Sequence, residues 1–175
     1  MVLPIVAYGD PVLRKKGKEI NKDYPKLDEL IQNMWDTMYH AYGVGIAAPQ
    51  VGLPIRLFVV DATPFAEDEE LKEEGDEWAF NEGCLSIPDI REDVFRKSDI
   101  TIEYLDENFE EHKDTFTGLS ARVIQHEYDH IEGILFTDKL SSLKKRLIKG
   151  KLANIAKGKI NVDYRMRFPE IKKAR

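Results

Sequence analysis

A fold that mixes α-helices with β-strands is what this sequence predicts, on three observations. Two stretches carry apolar residues at helical spacing, over residues 25–42 and from about Leu119 to Ile131. Between them lie short runs with strand character, the clearest being Pro54 to Asp61. Two further runs, 99–105 and 109–116, flank Asp106-Glu107-Asn108 and read as a hairpin. Length sets the scale: 175 residues suggest one domain, residues 1–175, large enough to bury a real core.

The first helix is read from Leu27, Leu30, Ile31, Met34 and Met38, with Trp35 and Tyr42 broadening the stripe. Such a stripe is core-forming, and His40 near its end is expected on the surface or at a cap. Gly43 and Gly45 then end the helix and open a loop. Residues 54–61 read as a buried strand. The acidic stretch Ala62 to Asp76, with Pro64 and Gly75, reads as a loop. Trp78 to Phe80 look like a strand leading into Glu82-Gly83-Cys84-Leu85-Ser86. His112 stands among Glu110, Glu111, Lys113 and Asp114 and is expected to face solvent. Thr117 is placed as the cap of the second helix and Gly133 as its stop. Along that helix Leu119, Val123, His126 and His130 fall on one stripe, so the imidazoles extend an apolar face toward the interior. Near the C-terminus, Lys144, Lys145, Arg146, Lys149, Lys151, Lys157 and Lys159 alternate with Leu143, Leu147, Leu152 and Ile155. A charged amphipathic helix packed on the domain is the preferred reading, with docking to a polyanion such as a ribosome as the alternative.

Composition narrows the function classes. Hydrophobic content of 42% and charged content of 33% favour a folded chain. A net charge of −6 gives no field that attracts DNA or an anionic membrane. A lone cysteine cannot form an internal disulfide, which fits a reducing compartment. The first residues, MVLPIVAYGDPVLRK, lack the basic and long apolar regions of a signal peptide. No apolar run approaches membrane-spanning length. These features point to a cytosolic enzyme.

The chemistry is carried by His126-Glu127-Tyr128-Asp129-His130 and the single Cys84. Histidines four apart on a helix project from the same face, one turn apart, so both can reach one ion. Glu127 lies about 100° round the helix from His126, beside the ion and off it, where a general base belongs. A solvated polar helix face would carry the same five residues without an ion. Two further readings compete. His-Glu-x-x-His is also the signature of zinc metalloproteases, although these take a third ligand downstream and no histidine follows His130. A metal-stabilised binding module would need a fourth protein ligand, and none is obvious.

Three segments in order resemble the motifs of peptide deformylase: Gly43-Val44-Gly45-Ile46-Ala47-Ala48-Pro49-Gln50, Glu82-Gly83-Cys84-Leu85-Ser86 and Gln125-His126-Glu127-Tyr128-Asp129-His130. The similarity extends from Leu3-Pro4-Ile5 and Gly9-Asp10-Pro11-Val12-Leu13-Arg14 to Gly133-Ile134-Leu135-Phe136. It implies an α+β fold, with mostly antiparallel strands around a central metal-binding helix, an N-terminal helix and a C-terminal helix. It implies a bacterial, cytoplasmic hydrolase that removes the N-formyl group from the initiator methionine of nascent polypeptides and releases formate. The ligands carry over to Cys84, His126 and His130, holding one divalent ion. That ion is usually ferrous iron in the family, and Zn2+, Ni2+ or Co2+ can replace it. Glu127 carries the proton, and the Gln50 side chain and the Leu85 backbone N–H stabilise the oxyanion. A peptide would lie along Gly43, Val44 and Gly45 on one side and Glu82 and Gly83 on the other. Val44, Leu119, the stem of Arg122 and Val123 would line a methionine pocket, and Arg91 falls where the family has a basic residue near the peptide. Two departures stand out. The family's Asn-Pro strand has no counterpart between Val60 and Trp78, and Ile131-Glu132 replace the usual Leu-Asp.

Overall fold

The computed structural model describes residues 1–65 and 77–169. The chain begins with β1 (Ile5–Val6) and a 3₁₀ turn at Pro11–Arg14, followed by α1 (Leu27–His40). Next come β2 (Gly45–Ala47), a 3₁₀ turn at Ala48–Val51 and β3 (Phe58–Val60). Then follow β4 (Glu77–Cys84), β5 (Ile87–Lys97), β6 (Asp99–Leu105) and β7 (Glu111–Thr117). The second helix, α2 (Gly118–Ile131), leads through a 3₁₀ turn at Phe136–Lys139 to α3 (Ser142–Ala156) and β8 (Met166–Arg167).

Antiparallel pairs join β2 to β3, β4 to β5 and β6 to β7, while β1 and β8 pair in parallel. Helices and antiparallel sheets together make an α+β fold. Helix α2 packs against β2, β3, β5, β6 and β7. One apolar cluster joins Leu13, Ile87, Val94, Phe136 and Ile155 between the β4–β5 hairpin and α3. A second joins Met34, Met38, Ile46 and Val59 beneath α1. Met166 of β8 packs against both.

Several expectations need correction. The strand expected over 54–61 is confined to Phe58–Val60. Its first half pairs with Lys18 instead: Lys18 donates to the Pro54 carbonyl and Arg56 donates to that of Lys18. Strand β5 did not stand out from the sequence, because its inward positions include Arg96, 4% exposed, where alternation calls for an apolar residue. Thr117 does precede α2, but its side chain makes no capping bond. Gly133 ends α2 with φ +75, and a Cβ there would lie 2.7 Å from the Arg14 carbonyl oxygen. The His112 side chain is open to solvent, 38% exposed, as expected, yet it is also held in place. It bonds Asp106 at 3.0 Å and stacks on Tyr104. In α3, Ile148, Leu152, Ile155 and Ala156 are buried, whereas Leu143 and Leu147 face outward. Of the acidic stretch, Thr63–Phe65 forms a 3₁₀ turn, and 66–76 lie outside the described residues.

Candidate metal centre

Helix α2 and the β4–β5 hairpin bring the three candidate ligands together. Ligand atoms of Cys84, His126 and His130 all lie within 4.8 Å of one another. The Cys84 Sγ is 3.3 Å from the His130 Nε2. The imidazoles, one turn apart, meet edge to face with centroids 5.0 Å apart. Cys84 closes β4 beside a bulge at Glu82–Cys84, which turns its thiol toward the helix.

The buried charges around the cluster explain its geometry. His126 uses Nδ1 to bond the Glu82 carboxylate at 3.0 Å, which leaves Nε2 for an ion. Glu82 in turn accepts from Arg96 Nε at 2.6 Å and from Arg122 Nη1 at 2.7 Å. Burial works against that carboxylate, but the bonds from His126 and Arg96 outweigh it and hold its pKa at about 2. Burial also disfavours a charged His126, yet its contacts with Cys84 and Glu82 push it up to about 10. Burial, together with the positive charge on His126 and Arg96, holds His130 well below its ordinary value and keeps it neutral. One thiol and two imidazoles so disposed fit a divalent metal with N and S preference, and a set of three leaves a coordination position open.

Glu127 follows His126 on α2. It is 4% exposed, its Oε2 has no hydrogen-bond partner among the described residues, and burial pushes its pKa up to about 7. The backbone of β2 lies directly on it: a Cβ at Gly45 would fall 2.6 Å from the Glu127 Oε1. Gln50, 1% exposed, has its Oε1 fixed by the Ala47 N–H at 2.8 Å. Its Nε2 therefore points at the Cys84 Sγ, 3.5 Å away, and at the Ser86 Oγ, 3.4 Å away. The Leu85 N–H, next to the thiol, makes no backbone hydrogen bond among the described residues.

The candidate substrate residues divide into two groups. Gly43, Val44, Gly83, Leu119 and Val123 are half-buried, and Gly45 is buried. Arg91 is exposed, lies over Gly83 and bonds the Asn81 carbonyl at 2.6 Å. Arg122 and Glu82, by contrast, lie in the interior. The Arg122 guanidinium stacks on Trp78 at 4.3 Å and bonds the Trp78 and Val94 carbonyls as well as Glu82. Sequence reasoning missed this brace and its partners Arg96 and Asp129, which bond at 2.7 Å. An arginine at an inward strand position was the one available signal.

The polypeptide deformylase family model matches residues 2–146. The peptide deformylase of Christiangramia forsetii is 69% identical, covering all of both chains, and that of Flavobacterium johnsoniae is 61% identical with the same coverage. Both alignments run over 196 residues against 175 here, so the relatives carry positions that this chain lacks. Among solved structures, the peptide deformylase of Legionella pneumophila is 35% identical with a TM-score of 0.78, covering 91% of this chain and 98% of its own. That of Thermus thermophilus is 37% identical with a TM-score of 0.78, covering 90% and 99%. These likenesses give the metalloprotease reading no support. The chain is an enzyme and belongs to the polypeptide deformylase family.

Proposed function

We propose that one catalytic domain, residues 1–175, hydrolyses the formyl group of N-formylmethionyl peptides at a single divalent ion held by Cys84, His126 and His130 on a central helix, α2. The observation that carries this reading is the convergence of one thiol and two imidazoles, with Glu127 next to His126 on α2 and its buried Oε2 unpartnered among the described residues. When bound, the ion supplies an electrophile and makes water a nucleophile near neutral pH. Glu127 takes the proton from the attacking water on Oε2 and returns it to the leaving amine. Gln50 Nε2 and the Leu85 N–H donate to the oxyanion that develops on the formyl oxygen. Glu82 acts through His126, fixing which ring nitrogen carries the proton.

The peptide adds as a strand to β2. The Val44 carbonyl accepts from Asp61, the residue after β3, so the polar groups of Gly45 face the opposite edge, which no strand covers among the described residues. Val44, Leu119 and Val123 offer apolar surface for methionine. Arg91, anchored to Asn81, and the Glu82–Gly83 backbone flank the far side. Arg122 and the Glu82 side chain serve that surface from beneath. Ferrous iron is the native ion, with zinc, nickel or cobalt able to replace it. The enzyme works in the cytoplasm, and α3 serves first as a helix packed on the domain through Ile148, Leu152 and Ile155, leaving its basic face outward.

The test is formate release from formyl-Met-Ala-Ser by protein prepared anaerobically with ferrous iron, beside a general peptidase assay. Formate without peptide cleavage is expected, and cleavage without formate would overturn the reading. Glu127→Ala should keep its metal while kcat falls by about 10²–10⁴-fold. Metal analysis and kinetics on the same sample check this. Cys84→Ser should lose both metal and activity. Preparation in air should inactivate the enzyme through iron and Cys84 oxidation. Equal activity after aerobic and anaerobic handling would count against iron.

A further inference from the structure

The Leu85–Ser86 turn that closes the β4–β5 hairpin is held by segments distant in sequence. Tyr8 N–H donates to the Ser86 carbonyl at 2.8 Å, and Gln50 Nε2 reaches the Ser86 hydroxyl. The Leu85 carbonyl accepts from the hydroxyl of Tyr164 at 2.8 Å. Tyr164 lies beyond the span matched by the family model. It sits on a strap that returns to the body of the protein at β8. There Met166 and Arg167 pair with Ile5 and Val6, and Ile5 and Ala7 donate to the Arg165 and Arg167 carbonyls at 2.9 Å. The strap is anchored immediately after the phenol. The ring is half-buried and packs with Leu85 and Met166 in the cluster beneath α1.

A hydrogen bond to the Leu85 carbonyl acts on the Leu85 N–H through one Cα. The preceding peptide is set by Cys84, whose residue pairs with Ile87. Fixing the following peptide plane restricts Leu85 ψ, and with both planes fixed the N–H keeps one direction. A donor aimed in advance needs no reorganisation as charge develops, and that is where such donors gain their effect. From this geometry we infer that Tyr164 is a positioning residue for the oxyanion site: its hydroxyl holds the Leu85 peptide so that the Leu85 N–H points at the reacting oxygen. The inference rests on the deformylase reading and on Leu85 as an oxyanion donor.

Tyr164→Phe removes the hydroxyl and keeps the ring. In zinc-loaded or iron-loaded enzyme, kcat for formyl-Met-Ala-Ser should fall about tenfold. This is less than the loss from deleting such a donor outright, about 10²–10³-fold. KM should stay within twofold, and metal stoichiometry should be unchanged. In the zinc-loaded protein, the Leu85 amide resonance should shift, while those of α1 keep their positions. A purely structural tie would lower the melting temperature and leave kcat alone. A kcat within twofold of wild type, or a loss carried entirely by KM, overturns the inference and leaves the deformylase reading standing. Wild-type enzyme that releases no formate overturns both.

Discussion

Gly45 and Glu127 approach more closely than any side chain at position 45 would permit. A Cβ there would meet the Glu127 Oε1 at 2.6 Å and its Cγ at 2.9 Å. The strand pairing with Val60 fixes Gly45, so the Glu127 side chain, whose Oε2 has no hydrogen-bond partner among the described residues, is the one that must yield. Gly45→Ala should therefore push the carboxylate off its position while leaving the ligands in place. The expected outcome is a loss of about 10²-fold in kcat/KM, the scale of an ångström-sized misplacement of a catalytic group, with metal stoichiometry unchanged. Kinetics and elemental analysis on one preparation check it. Arg122 makes the complementary case for stability. It is 2% exposed and shares Glu82 with Arg96, so Arg122→Met leaves a buried carboxylate short of a partner and removes the donor that reaches the Trp78 and Val94 carbonyls. About 3 kcal/mol of unfolding free energy should be lost in a urea titration. Arg91→Met, at an exposed position, should cost less than about 0.5 kcal/mol.

Elements with a clean apolar period were legible in the sequence, and those whose buried positions are charged were not. Helices α1 and α2 and the β6–β7 hairpin stand within two residues of where periodicity and turn chemistry put them. The three metal-ligand candidates were legible because His126, His130 and Cys84 form a pattern of residue types. The Glu82–Arg96–Arg122–Asp129 network was not, because a buried charge is invisible until its partners are brought to it by the fold. The same limit hid the role of His112, whose ring is held by Asp106 across the turn of the hairpin. That hydrogen bond raises the His112 pKa above its ordinary 6.5, against an opposing effect of burial. It also helps hold Asp106 below 3.8, after the larger effect of the backbone N–H of Glu110. The signs follow from linkage. A histidine raised in the folded state adds stability that is complete below pH 6.5 and is lost as pH rises through the folded pKa. An aspartate lowered in the folded state adds stability that is present above pH 3.8 and is lost as pH falls through its folded pKa. Turn protection in β6–β7 should therefore be greatest between those limits. An NMR titration of the His112 ring should give a midpoint above 6.5 in wild type, returning toward 6.5 in Asp106→Asn.

At the scale of the whole molecule, the site joins parts that the two apolar clusters hold separately. Cys84 rides on the β4–β5 hairpin, packed against α3, whereas Gln50 follows β2 in the cluster beneath α1. Helix α2, with His126 and His130, contacts both β2 and β5. An ion held by Cys84 and the two histidines would tie the hairpin to the helix, and the unfolded chain offers no such arrangement. Binding to the folded state alone stabilises it by about 4 kcal/mol when free metal exceeds the dissociation constant a thousandfold. For a protein of this length each kcal/mol moves the melting temperature by about 2–4 °C. Chelation should therefore lower the melting temperature by about 10 °C, and added zinc should restore it. Cys84→Ser should melt near the chelated wild type and gain little from zinc. Hydrogen exchange gives the location: without metal, amides around Cys84 and in the last turns of α2, which carry His126 and His130, should lose protection, and those of α1 should not. Equal melting temperatures with and without metal would mean that the clusters alone hold the ligands in place, and the ion would then contribute chemistry without contributing to the fold.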